Sequence, residues 1–143
     1  MEMMQTLKKQ VEKTTTVLIM TAAVADFGPA FPAETKIEKS DGLKITLLPT
    51  EDIVSCFSAS AEKPFIIGFA AETGPNIARA RRKLENKKAD MIVFNDITEP
   101  GAGFDADTNK VTLIDRKVAD ELDLMSKSEV ADAILDRFLE IKA

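Results

Sequence analysis

The 143-residue chain contains no histidine, tryptophan or tyrosine, and its single cysteine is Cys56. Without histidine, it cannot supply the base of a Ser-His-Asp triad, the partner of a Cys-His dyad or an imidazole metal ligand. One cysteine also excludes an internal disulfide and a Cys-x-x-Cys zinc or redox site, in agreement with a reducing compartment. The chemistry that remains uses lysine, arginine, carboxylate, amide and backbone groups.

Basic charge and long apolar runs are also scarce. The sequence has 19 Lys and Arg against 24 Asp and Glu, a formal charge of −5. An acidic chain without Trp or Tyr is a poor nucleic-acid binder, because neutralising phosphates requires a basic surface. No apolar run approaches the roughly 20 residues of a membrane span, and no signal-peptide pattern is seen. The 45% hydrophobic fraction predicts one soluble domain over residues 1–143.

Three apolar runs, at 17–20, 65–70 and 91–94, are typical of strands buried on both faces of a parallel sheet. A helix is predicted between the last two runs, with Thr73 as its cap and Pro75 in its first turn. Strand, helix and strand in this order predict an α/β unit with a right-handed crossover.

The remaining segments complete an α/β pattern. We predict helices at 3–11, 51–61 and 126–141 and strands at 44–48 and 111–114. Ser126 and Glu129 match a capping box at the start of the last helix. Cys56 falls on the apolar side of the helix at 51–61, which predicts a buried, inert thiol.

Two long segments, 21–42 and 95–109, follow predicted strands. Long loops in compact domains are often functional, and the carboxyl ends of strands in an open α/β sheet form the ligand crevice. Asp26 in the first segment fits either a ligand contact or a turn. Asn95 and Asp96 in the second fit either a site or a cap.

Lysines cluster near the same predicted crevice. Lys36 and Lys39 follow the first long segment, and Arg79, Lys83 and Lys87 share one face of the predicted crossover helix. A row of cations at this position can bind a polyphosphate, but the same row also fits a solvated helix face. The residues by themselves therefore indicate an anion or nucleotide site only weakly.

Five motifs occur in a characteristic order: AAVADF (22–27), KIEK (36–39), GFAAET (68–73), ND (95–96) and GFxxDxN (103–109). Together they cover nearly the whole chain, and the series resembles the phosphopantothenoylcysteine synthetase family. In bacteria this family usually forms the C-terminal domain of the bifunctional coenzyme A biosynthesis flavoprotein. The resemblance implies a Rossmann-like, three-layer α/β fold, with a mostly parallel sheet and helices on both faces.

The activity implied by the resemblance is ligation of cysteine to 4′-phosphopantothenate. The bacterial family activates the carboxylate with CTP, giving an acyl-cytidylate and pyrophosphate, and Mg²⁺ accompanies the triphosphate. The family resemblance also implies a cytoplasmic homodimer, associated through the region 36–48, and a decarboxylase domain in the full-length protein. The sequence does not distinguish CTP from ATP.

Family contacts with the nucleotide carry over onto twelve positions. These are Met20, Thr21, Ala22, Asp26, Lys36, Glu51, Asp52, Ile53, Val54, Phe69, Lys83 and Lys87. Lys36 is the catalytic candidate, because a cation there would stabilise the charge that develops at the α-phosphorus. No set of protein ligands for a metal is apparent in the sequence.

The chain departs from the family pattern in several places. Gly28 stands where the family often has Arg, Glu38 where it commonly has Lys, and Thr50-Glu51 where it has Asn-Pro. The family domain also begins with further strands that nothing in this sequence matches. We therefore expect the C-terminal part of a synthetase domain, without FMN, that retains the CTP site but not full activity.

Two alternatives remain open. One is a nucleotide-binding and dimerisation module without independent catalysis. The other is a redox Rossmann domain that uses NAD or flavin, which the incomplete glycine fingerprint at 101–104 disfavours.

Overall fold

The structure is a computed structural model that describes residues 2–39, 42–60, 62–102 and 106–143. Within these ranges the helices are α1 (Glu2–Gln10), α2 (Ile53–Ser58), α3 (Ile77–Lys87) and α4 (Lys127–Lys142). The strands are β1 (Val17–Met20), β2 (Phe27–Pro29), β3 (Leu47–Pro49), β4 (Phe65–Glu72), β5 (Met91–Asp96), β6 (Thr108–Asn109), β7 (Val111–Ile114), β8 (Ala119–Glu121) and β9 (Met125–Ser126). Among these described helices, none has the length and apolar character needed to cross a membrane.

The central sheet has the strand order β1-β4-β5-β7-β8. Strands β1, β4 and β5 are parallel, and β7 and β8 continue the sheet with antiparallel pairing. Helices α1, α2 and α3 pack on one face and α4 packs on the other. The predicted α/β class, with a mostly parallel sheet between two helical layers, is confirmed.

Burial on both faces explains the uninterrupted apolar runs of β4 and β5. Ile66 and Ile92 point towards α1–α3, whereas Ile67 and Val93 point towards α4, and each is at most 1% exposed. Fully burying a side chain of this size contributes roughly 1.5–3 kcal/mol. These two strands therefore form the centre of both hydrophobic layers.

Strand β1 lies at one edge of the described sheet and is buried on one face only. Leu18 and Met20 are 8% exposed, but Ile19 between them is 38% exposed. The prediction that this run is buried on both faces is wrong, because α4 packs mainly over β4, β5 and β7.

The two helices beside the central parallel strands begin later than predicted. Asp52 caps α2, and Asn76, not Thr73, caps α3 by accepting a hydrogen bond from the Arg79 amide at 3.1 Å. Gly74, with φ of +86°, turns the chain between β4 and α3, so the helix cannot start at Thr73. The capping box before α4 is confirmed.

Helix α2 is also shorter than predicted, and Cys56 is exposed. The helix buries Ile53 and Phe57 and turns Cys56 outward. The predicted buried thiol is therefore wrong.

The strand predicted at 44–48 forms later, as β3, and does not join the central sheet. It pairs with β2 in a separate antiparallel arm, in which Phe27 lies opposite Pro49. A hydrogen bond of 2.8 Å from the Ala30 amide to the Thr46 carbonyl extends this pairing. Of the described residues between its two strands, nearly all are exposed.

Candidate functional site

A cavity of about 150 Å³ lies at the carboxyl end of β1, beside the middle of β4. Met20 is the last residue of β1 and pairs in register with Gly68 of β4. Phe69 follows Gly68 in β4. All three residues line the cavity. This is the position at which an open α/β sheet is expected to bind its ligand.

Gly68 leaves room for a neighbouring side chain at this site. A Cβ atom at position 68 would lie 3.0 Å from Cδ1 of Ile92, and both residues line the cavity. That separation is tight, so a side chain at position 68 would displace Ile92 and fill part of the space.

Two further walls come from distant parts of the sequence. One is the segment 22–26 after β1, and the other is 50–54, which leads from β3 into α2. The Thr50 amide donates to the Asp26 carbonyl at 2.9 Å, and the Thr50 hydroxyl donates to the Ala25 carbonyl at 2.6 Å. The two walls are thus joined directly.

Helix α3 supplies the cations of the cavity. Lys83 Nζ donates to the Phe69 carbonyl at 3.0 Å, and Lys87 Nζ lies 2.5 Å from Asp52 Oδ2. Arg79, one turn earlier, instead pairs with Glu72 at 3.2 Å and does not line the cavity. The predicted row of three cations therefore divides into two that reach the cavity and one that does not.

Asp52 both caps α2 and pairs with a lysine that lines the cavity. Its side chain accepts hydrogen bonds from the Ser55 amide and hydroxyl as well as from Lys87. Partial burial alone would raise the pKa of the Asp52 carboxyl. The hydrogen bonds from Lys87 and Ser55 outweigh burial and lower that pKa below its ordinary value.

The lining carries more negative than positive side chains. Beside the ammonium groups of Lys83 and Lys87, the lining includes the carboxylates of Asp26, Glu51 and Asp52. A polyanion therefore requires additional positive charge to bind well here. In the described part of the chain, no cluster of three or more Cys, Asp or Glu residues could hold a metal ion.

Most of the predicted nucleotide contacts come together in this cavity. The ten that line it are Met20, Ala22, Asp26, Glu51, Asp52, Ile53, Val54, Phe69, Lys83 and Lys87. Thr21 and Lys36 do not line it and are exposed, Lys36 within the segment between β2 and β3. The catalytic role of Lys36 stays a prediction.

Five lining residues had not been predicted. They are Val24, Ala25, Thr50, Gly68 and Ile92. Three of them lie inside the AAVADF and GFAAET motifs, so the motifs could have indicated them. Ile92 belonged only to an apolar run, and Thr50 was noted only as a departure from the Asn of the family pattern.

Asp96 of the ND motif connects the turn after β4 to the turn after β5 by hydrogen bonds. Asp96 Oδ1 accepts hydrogen bonds from the Gly74 amide at 2.9 Å, the Thr98 amide at 2.9 Å and the Thr98 hydroxyl at 2.6 Å. The bonds from Thr98 lower the pKa of the Asp96 carboxyl. Gly103 and Phe104 of the last motif lie outside the described residues.

A larger cavity, of about 460 Å³, lies at the amino-terminal ends of β4 and β5. The Asp115 carboxylate in its lining is fully engaged: Oδ2 lies 2.6 Å from Arg137, and Oδ1 accepts from the amides of Lys117 and Val118. This arrangement ties the β7–β8 turn to α4. The smaller cavity is the better candidate for a ligand site.

Two curated relatives are similar to most of this chain. It is 43% identical over 123 residues to the coenzyme A biosynthesis bifunctional protein CoaBC of Vibrio vulnificus (strain YJ016), covering 83% of this chain and 31% of the relative. It is 41% identical over 128 residues to a cysteine/cysteine sulfinic acid decarboxylase from an unknown prokaryotic organism, covering 87% of this chain and 36% of the relative. The chain thus spans about a third of these relatives' length.

A solved structure is similar over nearly the whole chain. The C-terminal domain of CoaBC superposes with a TM-score of 0.75 and 32% identity, over 98% of this chain and 61% of that one. The family model described as the DNA/pantothenate metabolism flavoprotein C-terminal domain matches residues 1–141. The resemblance inferred from the five motifs is confirmed, and the chain belongs to the family of DNA/pantothenate metabolism flavoprotein C-terminal domains.

Proposed function

We propose that this chain carries the nucleotide site of a ligase that joins cysteine to 4′-phosphopantothenate in coenzyme A biosynthesis, with CTP as the activating nucleotide. The observation that supports this most is that ten of the twelve contacts implied by the family line one cavity. The names of relatives such as CoaBC point to the same pathway. The proposal includes action in the cytoplasm and, in the full-length protein, an attached decarboxylase domain.

The cavity has the size and the two lysines to bind part of a nucleotide. Its volume of about 150 Å³ is below the roughly 300–1,000 Å³ of sites that enclose a whole small molecule. The base would lie between Phe69 and the backbone at 51–54, and the phosphates would extend along α3 towards Lys83 and Lys87. Lys87 would exchange its carboxylate partner Asp52 for a phosphate oxygen.

Magnesium would enter with the nucleotide as part of the substrate. The described residues provide no metal cluster, and the carboxylates of the cavity outnumber its ammonium groups. A cation held by the phosphates would reduce the repulsion between the triphosphate and Asp26, Glu51 and Asp52.

The reaction requires charge stabilisation more than proton transfer, which suits a chain without histidine. A carboxylate oxygen of 4′-phosphopantothenate would attack the α-phosphorus of CTP, and the bond to pyrophosphate would break. The cysteine amine would then attack the acyl carbon, forming the amide, losing a proton and releasing CMP. Lys36 would stabilise the first step, provided that the segment between β2 and β3 approaches the cavity, within one chain or across a dimer.

Calorimetric titration of the folded chain with CTP and Mg²⁺ tests the proposed site. We expect binding in the micromolar to millimolar range, weakened by inorganic pyrophosphate, and none with CMP at the same concentrations. No heat at millimolar CTP would overturn the nucleotide site. We also expect no sustained pyrophosphate release from this chain with all three substrates, and robust turnover would contradict the expectation of incomplete activity.

A second proposal is that the chain associates with a second copy through the arm. Large apolar side chains there are more than half exposed: Phe27, Phe31, Ile37, Leu43, Ile45, Leu47 and Leu48. An apolar patch of this kind typically marks an interface. Light scattering should show a dimer that Phe31→Ser weakens and Leu139→Ser does not, since Leu139 is equally apolar and 60% exposed on α4. A monomer at high concentration would refute self-association.

A further inference from the structure

Thr50 occupies the junction between the two walls of the nucleotide cavity. Its amide donates to the Asp26 carbonyl and continues the β2–β3 ladder by one step. Its hydroxyl donates to the Ala25 carbonyl at 2.6 Å, which extends the connection one residue further into the wall at 22–26. Thr50 itself lines the cavity.

The hydroxyl is better suited to hold local geometry than to support global stability. Thr50 is exposed, so water can replace the Ala25 carbonyl as its partner when the chain unfolds. The next two residues on its wall, Glu51 and Asp52, line the cavity, and Asp52 leads into α2 and contacts Lys87. Movement of Thr50 would therefore change the gap between Asp26 and the start of α2.

We infer that the Thr50 hydroxyl is a positioning group, which sets the separation of the 22–26 wall from the 50–54 wall and so preorganises the cavity for the nucleotide. This inference rests on the proposed function, because it takes a nucleotide as the occupant. The residue acts through the two walls and takes no part in the chemistry. Preorganisation of this kind strengthens binding by removing the cost of ordering the walls when the ligand arrives.

Two substitutions isolate the hydroxyl. Thr50→Val keeps the branched shape and the backbone amide but removes the hydroxyl donor, whereas Thr50→Ser keeps the donor and loses a methyl group. We expect Thr50→Val to raise the dissociation constant for CTP with Mg²⁺ about fivefold, while Thr50→Ser stays within about twofold of the unaltered chain. Both variants should keep the melting temperature within a few degrees.

Hydrogen exchange of the nucleotide-free protein makes the test independent of binding. Amides of residues 22–28 should exchange faster in Thr50→Val than in Thr50→Ser or the unaltered chain. Equal exchange in all three would overturn the positioning role, and so would equal CTP affinity in Thr50→Val and the unaltered chain. If the unaltered chain binds no CTP, the proposed function and the nucleotide part of this inference both fail, while the exchange comparison still decides whether Thr50 joins the walls.

Discussion

Lys87 Nζ lies 2.5 Å from Asp52 Oδ2, so one of the two cations at the cavity is held by the carboxylate that caps α2. The residues are 35 positions apart in the sequence, and each side chain is about one-third exposed. A phosphate that binds Lys87 must therefore compete with Asp52. Binding of a phosphate to Lys87 would therefore also affect the residue that caps α2.

Removing the charge of Asp52 should strengthen nucleotide binding. Asp52→Asn keeps a side chain that caps α2 well but releases Lys87 and removes one repulsive carboxylate. Because exposed ion pairs contribute about 0.2–1 kcal/mol, we expect CTP affinity to rise up to about fivefold, with a larger effect at low salt. Titration at two salt concentrations measures this, and weaker binding by the variant would indicate that the carboxylate itself holds the nucleotide.

Lys83 should contribute directly to phosphate binding. Lys83→Met preserves the aliphatic stem but removes the ammonium group. A charge-assisted hydrogen bond from that group to a phosphate contributes about 1.5–3 kcal/mol. We expect CTP affinity to fall at least about tenfold. Arg82→Met on the same helix is the matched control, since Arg82 is exposed and outside the cavity lining. A similar loss in both variants would indicate a general electrostatic effect only.

Lys36 should affect turnover and leave the fold intact. In a protein that contains the complete synthetase domain, Lys36→Ala should lower kcat by about a hundredfold or more, because transition-state charge would lose its partner. The melting temperature should hardly change, since Lys36 is exposed. Lys39→Ala, also exposed in the same motif, is the control, and unchanged turnover in Lys36→Ala would remove Lys36 from the mechanism.

The pair of Asp115 and Arg137 should stabilise the domain without any role in binding. Asp115 is 6% exposed. Its burial alone would raise the pKa, but bonds from the Val118 and Lys117 amides and from Arg137 lower it below the ordinary value. Asp115→Asn should reduce the free energy of unfolding by about 2 kcal/mol at pH 7, less than the roughly 3–5 kcal/mol of a fully buried pair because Arg137 keeps Glu140.

The same pair gives a pH dependence of known sign. A carboxyl whose pKa is lower in the folded state stabilises the fold above its unfolded pKa, and this stabilisation is lost as the pH falls through the folded pKa. The difference in unfolding free energy between the unaltered chain and Asp115→Asn should therefore be constant above about pH 5 and shrink below about pH 4. Urea unfolding between pH 3 and 7 measures it. Glu140→Gln, with Glu140 65% exposed, should change stability by less than about 1 kcal/mol.

Patterns local in sequence predicted much of the scaffold. The apolar runs at 65–70 and 91–94 specify the two central strands, because only a strand covered on both faces can bury every side chain. Ser126 and Glu129 mark the start of α4 because both partners of the capping box lie within one helical turn. Of the twelve nucleotide contacts that the family resemblance implies, ten line one cavity.

Other features depend on how distant segments pack. Exposure of Ile19 follows from the edge position of β1, and exposure of Cys56 follows from the way α2 packs, with Ile53 and Phe57 towards the core. Neither property can be derived from hydrophobic periodicity, which describes a segment's own faces and says nothing about what covers them.

The cavity illustrates the same division most clearly. The residue types that suit an anion site, and the fact that they follow strands, are visible in the sequence because side-chain chemistry and strand periodicity are local properties. The join between Thr50 and Ala25, and the pairing of Lys87 with Asp52, arise only when residues 25 and 35 positions apart meet in the folded chain. Such contacts depend on sheet register and helix placement, which packing of the whole domain sets.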